Sequence, residues 1–123
     1  MSFDLTFWYE GDRSTPEEAF QIYDQLTDGE MGVVAASAAI DGFFADVVSV
    51  YQDLTEENME ESPWTAPIYH TPECVIVNIA WSVHKEVNDA LIDLANKHGL
   101  TTYNPQDRLV IHPTGALPRG ADQ

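Results

Sequence analysis

Apolar and polar residues alternate at the start of the chain, and this period of two predicts a β-strand. The two faces of the strand would carry Phe3, Leu5, Phe7 and Tyr9 on one side, and Asp4, Thr6 and Trp8 on the other. The polar segment Glu10-Gly11-Asp12 ends the alternation. We therefore expect one face of this strand to pack on the protein core.

The next segment carries the signals of a helix start. Thr15 is a good N-cap, Pro16 suits the first helical position, and Glu18 stands three residues after the cap. An apolar stripe follows at helical spacing, formed by Ala19, Phe20, Ile22, Tyr23 and Leu26. Asp28-Gly29 predicts the end of this first helix.

A second amphipathic helix is predicted after a linker at residues 30–36, with Ser37 as its N-cap. Its apolar residues recur at i, i+3, i+4 and i+7, namely Ile40, Phe43, Phe44, Val47, Val48 and Tyr51. Residues 53–61 then contain five acids in nine positions. This run is either a frayed extension of the helix or a solvated loop, and the sequence leaves both open.

The second half of the chain predicts a buried strand, a third helix and a hairpin. Residues 62–73 hold three prolines and should form an irregular connection, and the apolar run 74–81 reads as a central strand. Ser82 would cap a helix that ends at Lys97-His98-Gly99. Residues 100–103 and 109–112 flank a turn at 104–107 and suggest a hairpin.

The element order β-α-α-β-α-β-β predicts an α+β fold, a sheet of roughly four strands with three helices packed on one face. Residues 1–112 would form a single domain, since 123 residues leave no room for a second one. Residues 113–123 are rich in proline, glycine and polar side chains, and we expect them to form a flexible C-terminal tail.

The net charge of the chain is the property that most restricts its possible partners. The chain has 21 Asp and Glu against five Lys and Arg, a formal net charge of −16, with no basic residue between Arg13 and Lys85. Such a surface repels phosphate backbones and anionic lipid, which argues against nucleic-acid or membrane partners. It would instead attract a basic protein partner. The competing interpretation is that the acids serve solvation alone.

Cysteine usage and hydropathy indicate a cytoplasmic protein. Cys74 is the single cysteine, so no internal disulfide forms, which suits a reducing compartment. No apolar run is long enough for a transmembrane helix, and the N-terminus lacks the basic region of a secretory signal and contains acids early. With 44% hydrophobic residues, the chain still has the apolar content of a folded domain.

Motifs for catalysis, metal or cofactor binding are not evident, and we predict a protein that is not an enzyme. His70 and Cys74 are four residues apart but straddle a proline, and no second ligand pair completes a metal site. No nucleophile elbow or phosphate-binding glycine loop is present. Cys74 is better explained as a buried small hydrophobe, and Asp4 as an exposed position on a half-solvated strand.

One feature favours recognition of a partner. The acids of residues 53–61 lead directly into a loop tryptophan, and the predicted partner-binding residues are Asp53, Glu56, Glu57, Glu60, Glu61 and Trp64. Tryptophan is enriched at interface hot spots, and carboxylates around it pair with arginine. The alternative is a solvated acidic turn followed by a tryptophan that covers the core.

Several short stretches resemble a group of small, largely uncharacterised acidic bacterial proteins. They are the opening Met1-Ser2-Phe3-Asp4-Leu5 with Trp8, residues 75–81, His98-Gly99-Leu100, Tyr103 and Asn104-Pro105-Gln106. The resemblance implies a bacterial cytosolic origin. In size, acidity and lack of catalytic motifs the chain is also similar to immunity proteins of polymorphic toxin systems, which implies occlusion of a basic surface on a toxin.

Three other functions stay open. The first is a small-molecule-binding or enzymatic domain, with a pocket between sheet and helices lined by Trp8, Trp81 and a histidine. The second is an acidic mimic of duplex nucleic acid. The third is an oligomeric module that pairs aromatic strands, although the sequence leaves the oligomeric state undetermined.

Overall fold

The computed structural model describes residues 2–113, and it confirms the α+β class. Five strands form one antiparallel sheet, accompanied by three α-helices. The elements are β1 (Ser2–Trp8), α1 (Pro16–Thr27), α2 (Ala38–Val50), β2 (Tyr69–His70), β3 (Cys74–Ala80), α3 (His84–Lys97), β4 (Thr101–Asn104) and β5 (Leu109–Ile111). Apart from Pro113, the predicted tail lies outside the described residues.

β1 lies at the centre of the sheet, whose strand order is β2-β3-β1-β4-β5. It pairs with β3 along its whole length, from Ser2 opposite Ala80 to Trp8 opposite Cys74. Its pairing with β4 covers only the second half of the strand. The strand that the sequence did not predict, β2, is a two-residue segment inside the proline-rich connection. The estimate of four strands missed it because the prolines there indicated an irregular loop.

The prediction that all three helices pack on one face of the sheet is wrong, since α1 covers the opposite face. Phe3, Leu5 and Phe7 point toward α2 and α3, in a core that also contains Phe43 and Leu91. The other face of the sheet has its own core, formed with α1, by Trp8, Ala19, Leu26, Cys74 and Tyr103. Because apolar residues occupy both faces of β1, one layer of helices is not enough to bury them.

Local signals at the helix starts are confirmed for α1 and α2. Thr15 accepts a hydrogen bond from the Glu18 backbone N–H at 3.2 Å, and Glu18 accepts one from the Thr15 N–H at 2.9 Å. Ser37 accepts from the Ala39 N–H at 3.1 Å. Both sequence predictions of an N-cap therefore identified the group that satisfies a free helical N–H.

The start of α3 differs from its prediction. Ser82 lies inside a 3₁₀ turn, Trp81–Val83, and α3 begins at His84 without a side-chain cap. The extra turn rotates the chain between β3 and α3. At the other end Gly99 adopts the positive φ of 71° that was expected of a helix-terminating glycine.

The NPQ sequence of the β4–β5 turn completes the edge of β1. On the N-terminal side of Thr6, β1 has no backbone partner in β4. The side-chain amide of Gln106 takes that place: it accepts from the Asp4 N–H at 2.6 Å and donates to the Asp4 carbonyl at 2.9 Å. Asn104 Oδ1 accepts from the Gln106 side chain at 2.7 Å and fixes it. Residues from the resemblance motif therefore have a structural role here.

A buried carboxylate holds the linker between α1 and α2. Glu73, 6% exposed, accepts backbone N–H bonds from Gly32 at 2.8 Å, Val33 at 3.0 Å and Val34 at 3.2 Å. These bonds, led by that from Gly32, lower the pKa of the Glu73 carboxyl. The linker is thereby tied to the start of β3.

Replacing this carboxylate should destabilise the fold in a pH-dependent way. In Glu73→Gln an amide NH₂ faces a backbone N–H, so we expect the free energy of unfolding at pH 7 to fall by about 1–3 kcal/mol. The contribution of the ionised carboxyl exists above its unfolded pKa and is lost as pH falls through the lowered folded pKa. The difference between wild type and variant, measured by urea unfolding, should therefore shrink in acid. The exposed Glu30→Gln is the control; a constant difference at all pH values would contradict this role.

Candidate functional site

Residues 53–61, called the acidic turn below, form a series of turns and not a helical extension. α2 ends at Val50, and Tyr51 already has extended backbone angles (φ −126°, ψ 94°). Residues 56–61 then fold into consecutive turns. Glu56, Glu57, Glu60 and Glu61 are all exposed. Of the two interpretations left open by the sequence, the structure thus selects the solvated loop.

The acidic turn has a defined conformation because polar side chains brace it from within. Thr55 donates its N–H to Asn58 Oδ1 at 2.8 Å, and Asn58 donates its own N–H to Thr55 Oγ1 at 3.3 Å. The Asn58 side chain also donates to the Asp53 carbonyl at 2.9 Å. Asp53 in turn accepts from the backbone of Leu54 and Ile68, at 2.7 and 3.0 Å. Of the predicted site residues, Asp53 therefore has a structural role, whereas the four glutamates are exposed to solvent.

Trp64 belongs to the core, which corrects the prediction that it is an exposed interface anchor. Its side chain is only 3% exposed, and its indole N–H donates to the carbonyls of Tyr51 at 3.3 Å and Gln52 at 3.0 Å. The Tyr51 ring packs edge-on against it. Trp64 also forms a β-bridge with Ile79. The second interpretation, a tryptophan that covers the core, is the one the structure supports.

The exposed tryptophan near the acidic turn is Trp81. It is 47% exposed in the 3₁₀ turn, beside Val83 at 37%. Two adjoining surface grooves share Ser82, Val83 and Glu86. One, of about 490 Å³, is also lined by Trp81; the other, of about 290 Å³, is also lined by Glu60 and Glu61. The acidic turn and an exposed aromatic residue therefore line neighbouring grooves, but the aromatic residue is one that the sequence assigned to a strand.

His84 holds Trp81 in place from behind. Its Nδ1 donates to the Trp81 carbonyl at 2.6 Å, and its ring stacks on the indole with centroids 4.3 Å apart. The buried Phe3 ring lies 4.7 Å from the His84 ring. Trp81 is therefore exposed yet anchored on the core. The sequence offered one signal, since Trp81 is the last residue of the apolar run and directly precedes the polar Ser82.

The other histidines also make contacts within the fold. Each lies beside a carboxylate: His70 is 3.0 Å from Asp41, His98 is 2.7 Å from Asp46, and His112 is 3.1 Å from Glu10. The hydrogen bond from His98 lowers the pKa of the Asp46 carboxyl. His98 also packs against Gly42, where an added Cβ would approach the imidazole to 3.1 Å. This contact accounts for a glycine inside α2.

Cys74 and the titratable side chains do not form a metal-binding cluster among residues 2–113. Burial raises the pKa of the Cys74 thiol, which keeps it in the unreactive protonated form. Within the described range, no three His, Cys, Asp or Glu side chains converge as metal ligands.

The structure of residues 2–113 contradicts the predicted pocket between sheet and helices lined by Trp8, Trp81 and a histidine, because the two tryptophans do not lie together. Trp8 is fully buried opposite Cys74, whereas Trp81 follows the other end of β3. A groove of about 520 Å³ lies beside the loop between β1 and α1 and includes Glu10. The Glu10 carboxylate already accepts hydrogen bonds from Trp8, Ser14 and Thr101. The Glu10 carboxylate is therefore already engaged in hydrogen bonds within the protein.

The two tryptophans should respond differently to truncation. Trp64→Ala removes a buried side chain and should lower the free energy of unfolding by about 3–5 kcal/mol, whereas Trp81→Ala should cost about 1 kcal/mol. Urea unfolding of both variants measures the contrast. A stable Trp64→Ala protein would contradict the core placement.

No helix in the described part of the chain combines the length and apolar character needed to cross a bilayer. In comparisons with known proteins, no family model, curated protein or solved structure matches this chain.

Proposed function

We propose that this protein is a non-enzymatic, acidic binding module that acts in the cytoplasm as an immunity protein, occluding a basic surface of a cognate toxin. The observation that carries the proposal is the acidic turn: four exposed glutamates on a loop whose conformation is fixed by its own polar side chains. Occlusion would be steric and electrostatic, and it requires no catalytic group.

The charge of the acidic turn is not neutralised within the described chain. Among residues 2–113, the carboxylates in contact with a basic side chain are Asp41 (with His70), Asp46 (with Lys97 and His98) and Glu10 (with His112). Arg108 instead lies over the Phe20 ring, with 5.1 Å between its guanidinium carbon and the ring centroid. The four glutamates therefore contribute their full charge to the field that a basic partner meets.

Rigidity distinguishes this proposal from solvation alone. Carboxylates that only keep a protein soluble need no particular arrangement, because their effect depends on net charge. In the acidic turn, however, Thr55 and Asn58 flank Glu56 and Glu57 and are joined by two hydrogen bonds. A preformed loop loses less conformational entropy when it binds, which favours a role in recognition.

A growth-rescue assay tests the function directly. We expect the product of the gene adjacent to this one to be toxic when expressed alone in a permissive host, and co-expression of this protein to restore growth through a stoichiometric complex. Complex formation would be checked by co-purification. A harmless neighbour, or toxicity that persists beside soluble protein, rejects immunity against that product and turns attention to a ligand screen at the groove near Glu10.

Charge reversal should localise the interaction. Lysine at Glu56, Glu57, Glu60 and Glu61 should weaken binding to the toxin by about tenfold or more, mainly through the association rate, because steering is lost. The matched control places lysine at four exposed acids elsewhere, Asp12, Glu30, Asp89 and Asp93.

The control has the same net charge as the first variant and should weaken binding only about twofold. Binding kinetics at two salt concentrations measure both effects, and circular dichroism checks folding. Equal losses in the two variants would show that net charge, and not the acidic turn, governs binding.

A further inference from the structure

We propose that Trp81 and Val83, with the carboxylates of Glu60, Glu61 and Glu86, form a docking surface for an arginine-bearing segment of a protein partner. This surface, called the Trp81 surface below, comprises the two adjoining grooves at the β3–α3 corner. The inference rests on the proposed function, and it names the chemistry that the partner presents.

The apolar part of the surface is large for an exposed position and is held rigid. Trp81 keeps 47% of its area exposed even though His84 stacks on its ring at 4.3 Å. The hydrogen bond from His84 to the Trp81 carbonyl and the ring of Phe3 behind it limit its movement. A fixed, half-exposed tryptophan loses little entropy on binding and is the residue type most enriched at interface hot spots.

The charged part of the surface comes from two separate segments. Glu60 and Glu61 belong to the acidic turn, whereas Glu86 belongs to the first turn of α3, and all three line the groove with Val83. None of them is in an ion pair with another residue in the range 2–113. Lys85 is the single cation among the residues that line either groove. The local charge therefore favours a cationic ligand.

Arginine fits this combination better than lysine. Its planar guanidinium stacks on an indole and pairs with carboxylates through several N–H groups, whereas an ammonium is a compact, strongly hydrated charge. Nucleic acid would be repelled by the same carboxylates. A second copy of this chain is disfavoured too, because two molecules of net charge −16 repel each other.

The experiment uses the three tryptophan indoles as separate reporters. Trp8 and Trp64 are buried and donate their indole N–H within the protein, to Glu10 and to backbone carbonyls. Only Trp81 is exposed. The ¹⁵N-labelled protein would be titrated, at low and at physiological salt, with a peptide of alternating arginine and glycine and with its lysine counterpart of equal length.

We expect the arginine peptide to shift the Trp81 indole signal and the backbone signals of residues 60, 61, 83 and 86, and to leave the Trp8 and Trp64 indoles in place. Its dissociation constant should be about threefold to tenfold lower than that of the lysine peptide. The surface assignment is overturned if the shifts concentrate at other acidic positions, or if the two peptides bind equally and leave Trp81 unaffected.

Two triple variants test whether peptide binding depends on the Trp81 surface or only on the net charge of the protein. Replacing Glu60 and Glu61 by Gln, together with Glu86→Gln, should weaken arginine-peptide binding about fivefold or more, whereas Asp12→Asn with Glu30→Gln and Asp93→Asn should change it about twofold or less. Trp81→Phe, which keeps an aromatic ring on His84, should remove part of the arginine preference. Equal losses in the two triple variants overturn the inference.

The outcome also separates this inference from the proposed function. If the neighbouring gene product is neutralised but its complex survives both the Trp81→Phe change and the triple Gln change unaltered, the immunity role stands and the docking surface is wrong. If the arginine peptide docks as expected while no toxic neighbour exists, the docking surface stands and the immunity role fails.

Discussion

β1 occupies the centre of the sheet and buries side chains on both of its faces, and this two-sided burial determines the architecture around it. Phe3, Leu5 and Phe7 require α2 and α3 on one side, whereas Thr6 and Trp8 require α1 on the other. The linker between α1 and α2 connects these two layers and contains no helix or strand. Glu73 supplies the missing hydrogen bonds to its backbone. A strand with one polar face would need neither the second layer nor the carboxylate.

Local signals in the sequence predicted the elements better than their arrangement. Thr15 and Ser37 identified two helix starts because a cap depends on side chains only a few residues away. The apolar run at 74–81 likewise predicted a buried strand with its correct start. The placement of α1 was mispredicted because Trp8 was grouped with the polar positions of β1. Which face a helix covers depends on contacts with Tyr103 and Cys74, which are remote in sequence.

In the candidate site, too, local features could be predicted from the sequence, whereas the tertiary arrangement could not. The acidic character and exposure of Glu56, Glu57, Glu60 and Glu61 follow from composition and a break in periodicity. The burial of Trp64 and the exposure of Trp81, by contrast, do not follow from the sequence, because both residues border predicted elements. Trp64 is drawn inward by backbone acceptors at Tyr51 and Gln52, and Trp81 is turned outward by a single 3₁₀ turn. The contacts of Trp64 leave no pattern at short range in the sequence, and the length of the apolar run at 74–81 favoured a strand over a turn at Trp81.

The sheet divides the interior into two cores, and this division has a consequence for how the molecule opens. The core beneath α1 has fewer buried residues and adjoins the linker that Glu73 holds, whereas the core beneath α2 and α3 also contains Trp64 and Phe3. We expect amide hydrogens of α1 and of its linker to exchange with solvent through a partial opening that leaves α2 and α3 closed. The protein would then tolerate substitutions in its α1 layer while the opposite layer, which carries the proposed Trp81 surface, stays folded.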